Sequence, residues 1–198
     1  MRYSFPIVLI LLFMFRNFMK KGDRKQRDAD RLFWERESKA NSVRKQDIEH
    51  LHYITIPENL PAIATDNFRI NELLQQFEGM RAKKILNLTG MSNTDIKMKY
   101  GAANLPFLSE CDDNFTELAR ITAALGHMLI DCNLTDEAAF FLELGIQWGS
   151  DISTNYTDLA AIYKQNSSPQ KITNLINEAN KLNSLSKDII IKKLQAFL

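Results

Sequence analysis

The chain has 198 residues, a net charge of +1, 45% hydrophobic residues and 25% charged residues, the proportions of one globular domain with appendages. Seven glycines and five prolines exclude collagen-like and Pro/Gly-rich disordered classes, and the near-zero charge removes the electrostatic case for a nucleic-acid partner. Cys111 and Cys132 are the only cysteines, too few for a disulfide framework or a cysteine-rich zinc site.

From Tyr3 to Met19 the only charge is Arg16. Such a stretch is at the lower limit for crossing a hydrocarbon core of about 30 Å, with Arg16 snorkelling to the interface. No small-residue cleavage site follows it. Arg16, Lys20, Lys21, Arg24, Lys25 and Arg27 form a basic cluster instead, which suits anionic lipid headgroups. Residues 1–21 are therefore expected to be an uncleaved single-pass membrane anchor, with the C-terminal domain in the cytoplasm because positive residues stay there. An exported domain is the alternative. Residues 16–50 hold 11 Lys and Arg against 7 Asp and Glu, whereas residues 51–198 hold 13 against 17. A basic neck thus precedes a mildly acidic body. Sequons at Asn87, Asn114, Asn133, Asn155 and Asn166 matter only in a eukaryotic secretory pathway.

Residues 22–64 are expected to form a basic juxtamembrane helix and a proline-bounded connector. Leu32, Phe33, Arg36, Ala40, Val43, Asp47 and Leu51 recur at steps of three and four, which predicts one charged, exposed helix over 28–51. Phe33 and Trp34 are adjacent and point to different sides. Residues 52–57 alternate like an extended segment, and Pro57 and Pro61 end any regular element. His50 and His52 have metal-ligand spacing for a strand, but no third ligand stands near them, so no metal is expected. Arg36, Glu37, Asn41 and Arg44 form a polar site only if they converge with Asp95 or Lys97. A charge-laced helix face accounts for them equally well.

The body, 65–198, reads as all-α. Thr65 or Asp66 is placed to cap a helix through Phe77 that stops at Gly79. Residues 85–88 are a short apolar piece. Ser92–Asp95 resembles the N-cap of a brief helix from Ile96 to Tyr100, stopped by Gly101. Gly90 lacks the partner glycines of a phosphate loop, and no Gly-x-Ser-x-Gly occurs. No catalytic residue and no cofactor is expected.

A repeat dominates residues 119–184, its second copy following the first at the spacing of Thr122 and Tyr156. Thr122, Leu125, Gly126 and Leu129 align with Tyr156, Leu159, Ala160 and Tyr163. Ala138, Leu142, Gly145 and Ser150 align at the same period with Ile172, Ile176, Ala179 and Ser184. Small residues at 126, 145, 160 and 179 let paired helices approach, and large residues fill the space between them. Thr135 and Ser168 are placed as N-caps of the second helices, with Pro169 at a first helical position. Ile190, Leu194 and Phe197 suit a terminal capping helix, and the helices of 65–118 are expected to cap the other end.

This pattern resembles the tetratricopeptide repeat, at 119–152 and 153–186. The resemblance implies a right-handed superhelix of helical hairpins with a concave, protein-binding face on its first helices. That face would include Arg120, Ala123, His127 and Ile130, then Thr154, Thr157, Ala161 and Lys164. The Lys/Asn array that clamps a C-terminal carboxylate in some members of the family is absent. Over its whole length the chain also resembles a group of short, membrane-anchored, uncharacterised proteins of Gram-positive anaerobic bacteria. That likeness lies in Phe33-Trp34-x-Arg36-Glu37, Tyr53-Ile54-x-Ile56-Pro57 and Asn93–Lys97 with Tyr100-Gly101, and it implies the anchored architecture without an activity.

Together these expectations describe a membrane-anchored adaptor or scaffold, not an enzyme, that binds a protein partner at the cytoplasmic face. The alternative is an accessory subunit or enzyme of a membrane complex, with a polar site around 28–57.

Overall fold

The computed structural model describes residues 26–198. The expected anchor over 3–19, and the basic cluster apart from Arg27, lie outside them. Every regular element among the described residues is helical, and none of these helices is long and apolar enough to cross a membrane.

The chain divides into two units. The first joins the residues up to Asp47 to Ser92–Leu105. Its helix α1 covers 26–41 of the described chain, and α3 spans Asn93–Tyr100. α3 begins with a reciprocal capping box. Ser92 accepts from the Asp95 N–H, and the Asp95 carboxylate accepts from the Ser92 N–H at 3.0 Å. It ends at Gly101, whose φ of 90° falls where only glycine is unstrained.

The helix expected over 28–51 ends well before Leu51. Beyond Ala40, which is fully buried, Ser42 and Val43 close the last turn onto Lys39 and Ala40. The backbone then trades its helical bonds for bonds to α3 and the turn after it. The Gln46 N–H donates to the Tyr100 carbonyl at 3.0 Å, and the Asn104 amide donates to the Gln46 carbonyl at 2.8 Å. The Arg44 carbonyl lies so close to Gly101 that a Cβ there would overlap it.

The second unit comprises Ile48–Met91 and Pro106–Leu198. Its helices are α2 (Phe68–Gly79), α4 (Leu105–Asp131, which starts in the first unit), α5 (Thr135–Gln147), α6 (Ser153–Gln165), α7 (Pro169–Asn180) and α8 (Lys187–Gln195). α2 is capped by Asn67, whose side chain accepts from the N–H groups of Arg69 and Ile70. The cap is therefore one residue beyond Asp66. α4 runs unbroken from Leu105, starting well before the repeat does. Nothing between Phe107 and Asp131 interrupts a helix, because Pro106 sits in its first turn, where a missing N–H costs nothing.

From α4 onward several of the element limits, though not all, fall at the spacing of the sequence pattern. α5 and α7 start one period apart, at Thr135 and Pro169, and so do α6 and α8, at Ser153 and Lys187. α4 and α6 end one period apart, at Asp131 and Gln165. The turns match bond for bond. The Leu134 N–H donates to Leu129 O, and the Ser168 N–H to Tyr163 O, both at 2.9 Å. Asn133 and Ser167 take the left-handed conformation between those bonds, which completes two Schellman motifs. Leu134 holds the N-cap position of α5, so Thr135 is one residue inside. Ser168 holds that of α7, but its hydroxyl donates to Asn166 O instead of capping.

Most of the aligned positions point inward; Ile176 and Ser184 are only half-buried. Thr122, Leu125, Gly126 and Leu129 are buried, and so are Tyr156, Leu159, Ala160 and Tyr163. A Cβ on Gly126 would overlap the Leu142 side chain, and one on Gly145 would come within 2.8 Å of the Asn155 amide. These glycines therefore set how near α5 lies to its neighbours. Phe77 of α2 reaches into the same core, edge-on to Phe141 at 5.3 Å. Burial of a side chain of that size contributes about 3 kcal/mol.

A segment without regular structure, 84–88, is stitched to its surroundings. The Leu86 N–H donates to Cys111 O, the Leu88 N–H to Asp112, and the Asn114 amide to Lys84 O. The Asn87 amide donates to the carbonyls of Trp148 and Gly149 at 2.9 and 3.2 Å. In the turn that follows, Gly90 lies against Asn183. Positions 149 and 183 are themselves one period apart.

Candidate functional site

The face expected to meet a partner is built from α4 and α6. Arg120 and His127 are exposed on α4, with Ile130 half-buried on the core side. Thr154 and Lys164 are exposed on α6, and Thr157 is half-buried. The two helices are joined across this face where His127 Nδ1 lies 3.2 Å from Asp158 Oδ2. The Thr157 hydroxyl is engaged by its own helix, 3.3 Å from the carbonyls of Ser153 and Thr154. Lys164 extends over the Phe197 ring at 5.9 Å, and Lys193 of α8 donates to the Ser153 hydroxyl at 3.0 Å. The C-terminal segment thus covers part of the α6 side and leaves the α4 side open around Arg120.

Arg120 also walls a groove of about 540 Å³ between α2 and α4. Leu73 and Ile121 floor it, and Arg69, Asp113 and Glu117 stand along it. Sequence spacing finds Arg120 but misses Asp113, because Asp113 joins the face only through the N-terminal extension of α4. A second groove, of about 470 Å³, lies between α5 and α7. Its Tyr163 hydroxyl donates to Glu143 at 2.5 Å, and burial followed by this bond pushes the phenol far above its usual range.

The polar residues of α1 meet α3 within the first unit. Arg36 pairs with Asp95 at 2.5 Å. Glu37 accepts from Lys97 and from the Thr94 hydroxyl, and Lys97 also donates to Asn41 at 2.9 Å. Arg44 contributes its backbone instead. The hydrogen bond from Lys97, then that from Thr94, holds Glu37 below the usual carboxyl range. Ser92 does the same for Asp95 through its hydroxyl and N–H, with a smaller part from Arg36. A carboxylate held ionised by several donors is a poor proton acceptor near neutral pH. These residues thus fasten α1 to α3.

Among the described residues no three His, Cys, Asp or Glu side chains gather closely enough to hold a metal ion. Cys111 is buried, and burial raises its thiol above the usual range. Cys132 is exposed, with the Asn67 amide 3.9 Å from its sulfur. Compared with family models, with curated proteins and with solved structures, the chain matches none.

Proposed function

We propose that this chain is a membrane-anchored adaptor whose tetratricopeptide-like helices hold a protein partner at the cytoplasmic face of the membrane. The observation that carries the reading is the recurrence, at one period, of the starts of α5 and α6 in α7 and α8, of two Schellman turns, and of most of the aligned buried positions. Such stacks present their first helices as a continuous surface. On that reading α4 and α6 offer Arg120, His127, Ile130, Thr154, Thr157 and Lys164, and α8 closes the series. The anchor rests on the apolar run 3–19 and on the basic cluster that follows it. The alternative, an accessory subunit or enzyme, draws on the polar set of α1 and α3. There each carboxylate already has its donors, which favours a clamp.

Photo-cross-linking in intact cells tests the partner face. A photoreactive residue at His127 or Lys164 is expected to give the same protein adduct, and one at exposed Thr173 or Asn177 of α7 none. Adducts from α7 alone, or equally from all four positions, contradict the reading. A cysteine at fully exposed Leu185, in a chain lacking Cys111 and Cys132, tests the orientation. It should resist a membrane-impermeant thiol reagent until lysis, and labelling of intact cells contradicts the cytoplasmic placement.

A further inference from the structure

The groove between α2 and α4 has a charge pattern that specifies its ligand. The two helices run antiparallel. At one end of α2, Asn67 approaches Cys132 just past the end of α4, and at the other Lys83 pairs with Glu117 at 2.5 Å. Four charges line the groove in order. Arg69 stands towards the C-terminal end of α4, then Arg120, then Glu117, then Asp113. Two of them are already neutralised. Arg69 pairs with Glu72 at 2.6 Å, and Glu117 with Lys83. Arg120 and Asp113 have no ion pair or side-chain hydrogen bond with any other described residue. They lie two helical turns apart on one face of α4, about 10 Å along its axis. Leu73 and Ile121, core residues each only 4% exposed, show a narrow apolar edge at the bottom of the groove. One unanswered positive charge and one unanswered negative charge thus stand over a groove walled by two helices.

We infer that this groove seats a helical segment of the partner protein that carries an acidic and a basic side chain two turns apart with an apolar residue between them. The acidic group meets Arg120, the basic group meets Asp113, and the apolar residue rests on Leu73 and Ile121. A helix laid between two others presents such a row at the same spacing as α4 itself. The inference deepens the partner-binding reading and rests on it, since Arg120 belongs to the α4 face.

Three labelled helical peptides, each four turns long, test it by fluorescence anisotropy, with the full-length chain in nanodiscs of zwitterionic lipid. Each has a central leucine and two charges at the spacing of Asp113 and Arg120: acid with base, acid with acid, or base with base. The unmodified chain should bind the mixed peptide best. Asp113→Lys should shift the preference towards the doubly acidic peptide, and Arg120→Glu towards the doubly basic one. Each shift should be about fivefold, since attraction at an exposed pair is replaced by repulsion. Both variants should keep the far-ultraviolet dichroism of the parent, because neither side chain is buried. Equal binding of the three peptides, or variants that keep the parent's ranking, overturns the inference. So does self-association of the chain that Arg120→Glu abolishes, because the groove would then belong to a second copy. The cross-links expected at His127 and Lys164 do not depend on these peptides, so failure here and failure of the adaptor reading are distinguishable.

Discussion

Asn133 and Ser167, one period apart, adopt the same left-handed backbone conformation, with φ of 59° and 49°. Each reverses the chain between two helices, and each is followed by an N–H that reaches back five residues to a carbonyl. Asparagine tolerates this region because its short amide bonds locally, whereas serine is ordinarily penalised there. Ser167 thus stores strain that the motif imposes.

Replacing Ser167 with glycine should release that strain and stabilise the protein by about 1 kcal/mol, despite the added freedom of the unfolded chain. Ser167→Val should destabilise it by a similar amount or more, since a β-branched residue suits this region least. Urea unfolding of the full chain followed by circular dichroism measures both. A Ser167→Gly chain no more stable than its parent contradicts the assignment of the turn.

Gly90, in the turn after segment 84–88, lies against the α7–α8 loop. Its φ is 85°, and a Cβ would overlap the backbone carbonyl of Asn183, which has no rotamer with which to give way. Gly90→Ala should therefore cost about 2 kcal/mol or more. Gly79→Ala, where a Cβ meets nothing within 4 Å, should be neutral or slightly stabilising. Equal midpoints for the two variants would show that the segment does not hold the loop.

The clamp between α1 and α3 should open in acid. Glu37 and Asp95 both ionise more readily when folded than when unfolded, so the unfolded chain takes up protons first as pH falls. Their contribution is complete above the ordinary carboxyl range, about pH 4, and is lost as pH falls through the lowered values. Spin labels at exposed Ser38 and Lys99 should give one narrow distance distribution at neutral pH and a broad one once the medium is more acidic than that range. Glu37→Gln should broaden the distribution already at neutral pH. A distribution that acid leaves unchanged in the parent contradicts the clamp.

What the sequence makes legible here is local or periodic. The limits of α3 follow from Ser92, Asp95 and Gly101, whose capping bonds span four residues or fewer. The inward positions of α4 to α7 follow from the period that relates Thr122 to Tyr156. The end of α1 near residue 41 is invisible to that kind of reading, because it depends on bonds that join Gln46 to Tyr100 and Asn104. Likewise, the early start of α4 has no break to announce it, and that extension is what brings Asp113 into line with Arg120. On the face itself, helix spacing identifies Arg120 and His127. The contact of His127 with Asp158 and the coverage of α6 by Lys193 and Phe197 depend on how separate helices are oriented. The same holds for the contact of Gly90 with Asn183.

The adaptor reading requires that α5 with α6 form one unit of a stack in which each unit touches only its neighbours. Inserting a second copy of residues 134–167 immediately after Ser167, and comparing thermal unfolding and helical ellipticity with the parent, measures this directly. A modular stack accepts such an insert in register. The lengthened chain should gain ellipticity in proportion to two added helices and unfold cooperatively at the parent's temperature or above. An insert shortened by one helical turn should unfold lower. If the in-register chain aggregates, unfolds well below the parent or gains no helix, the unit is not a repeat and the face drawn from it is wrong.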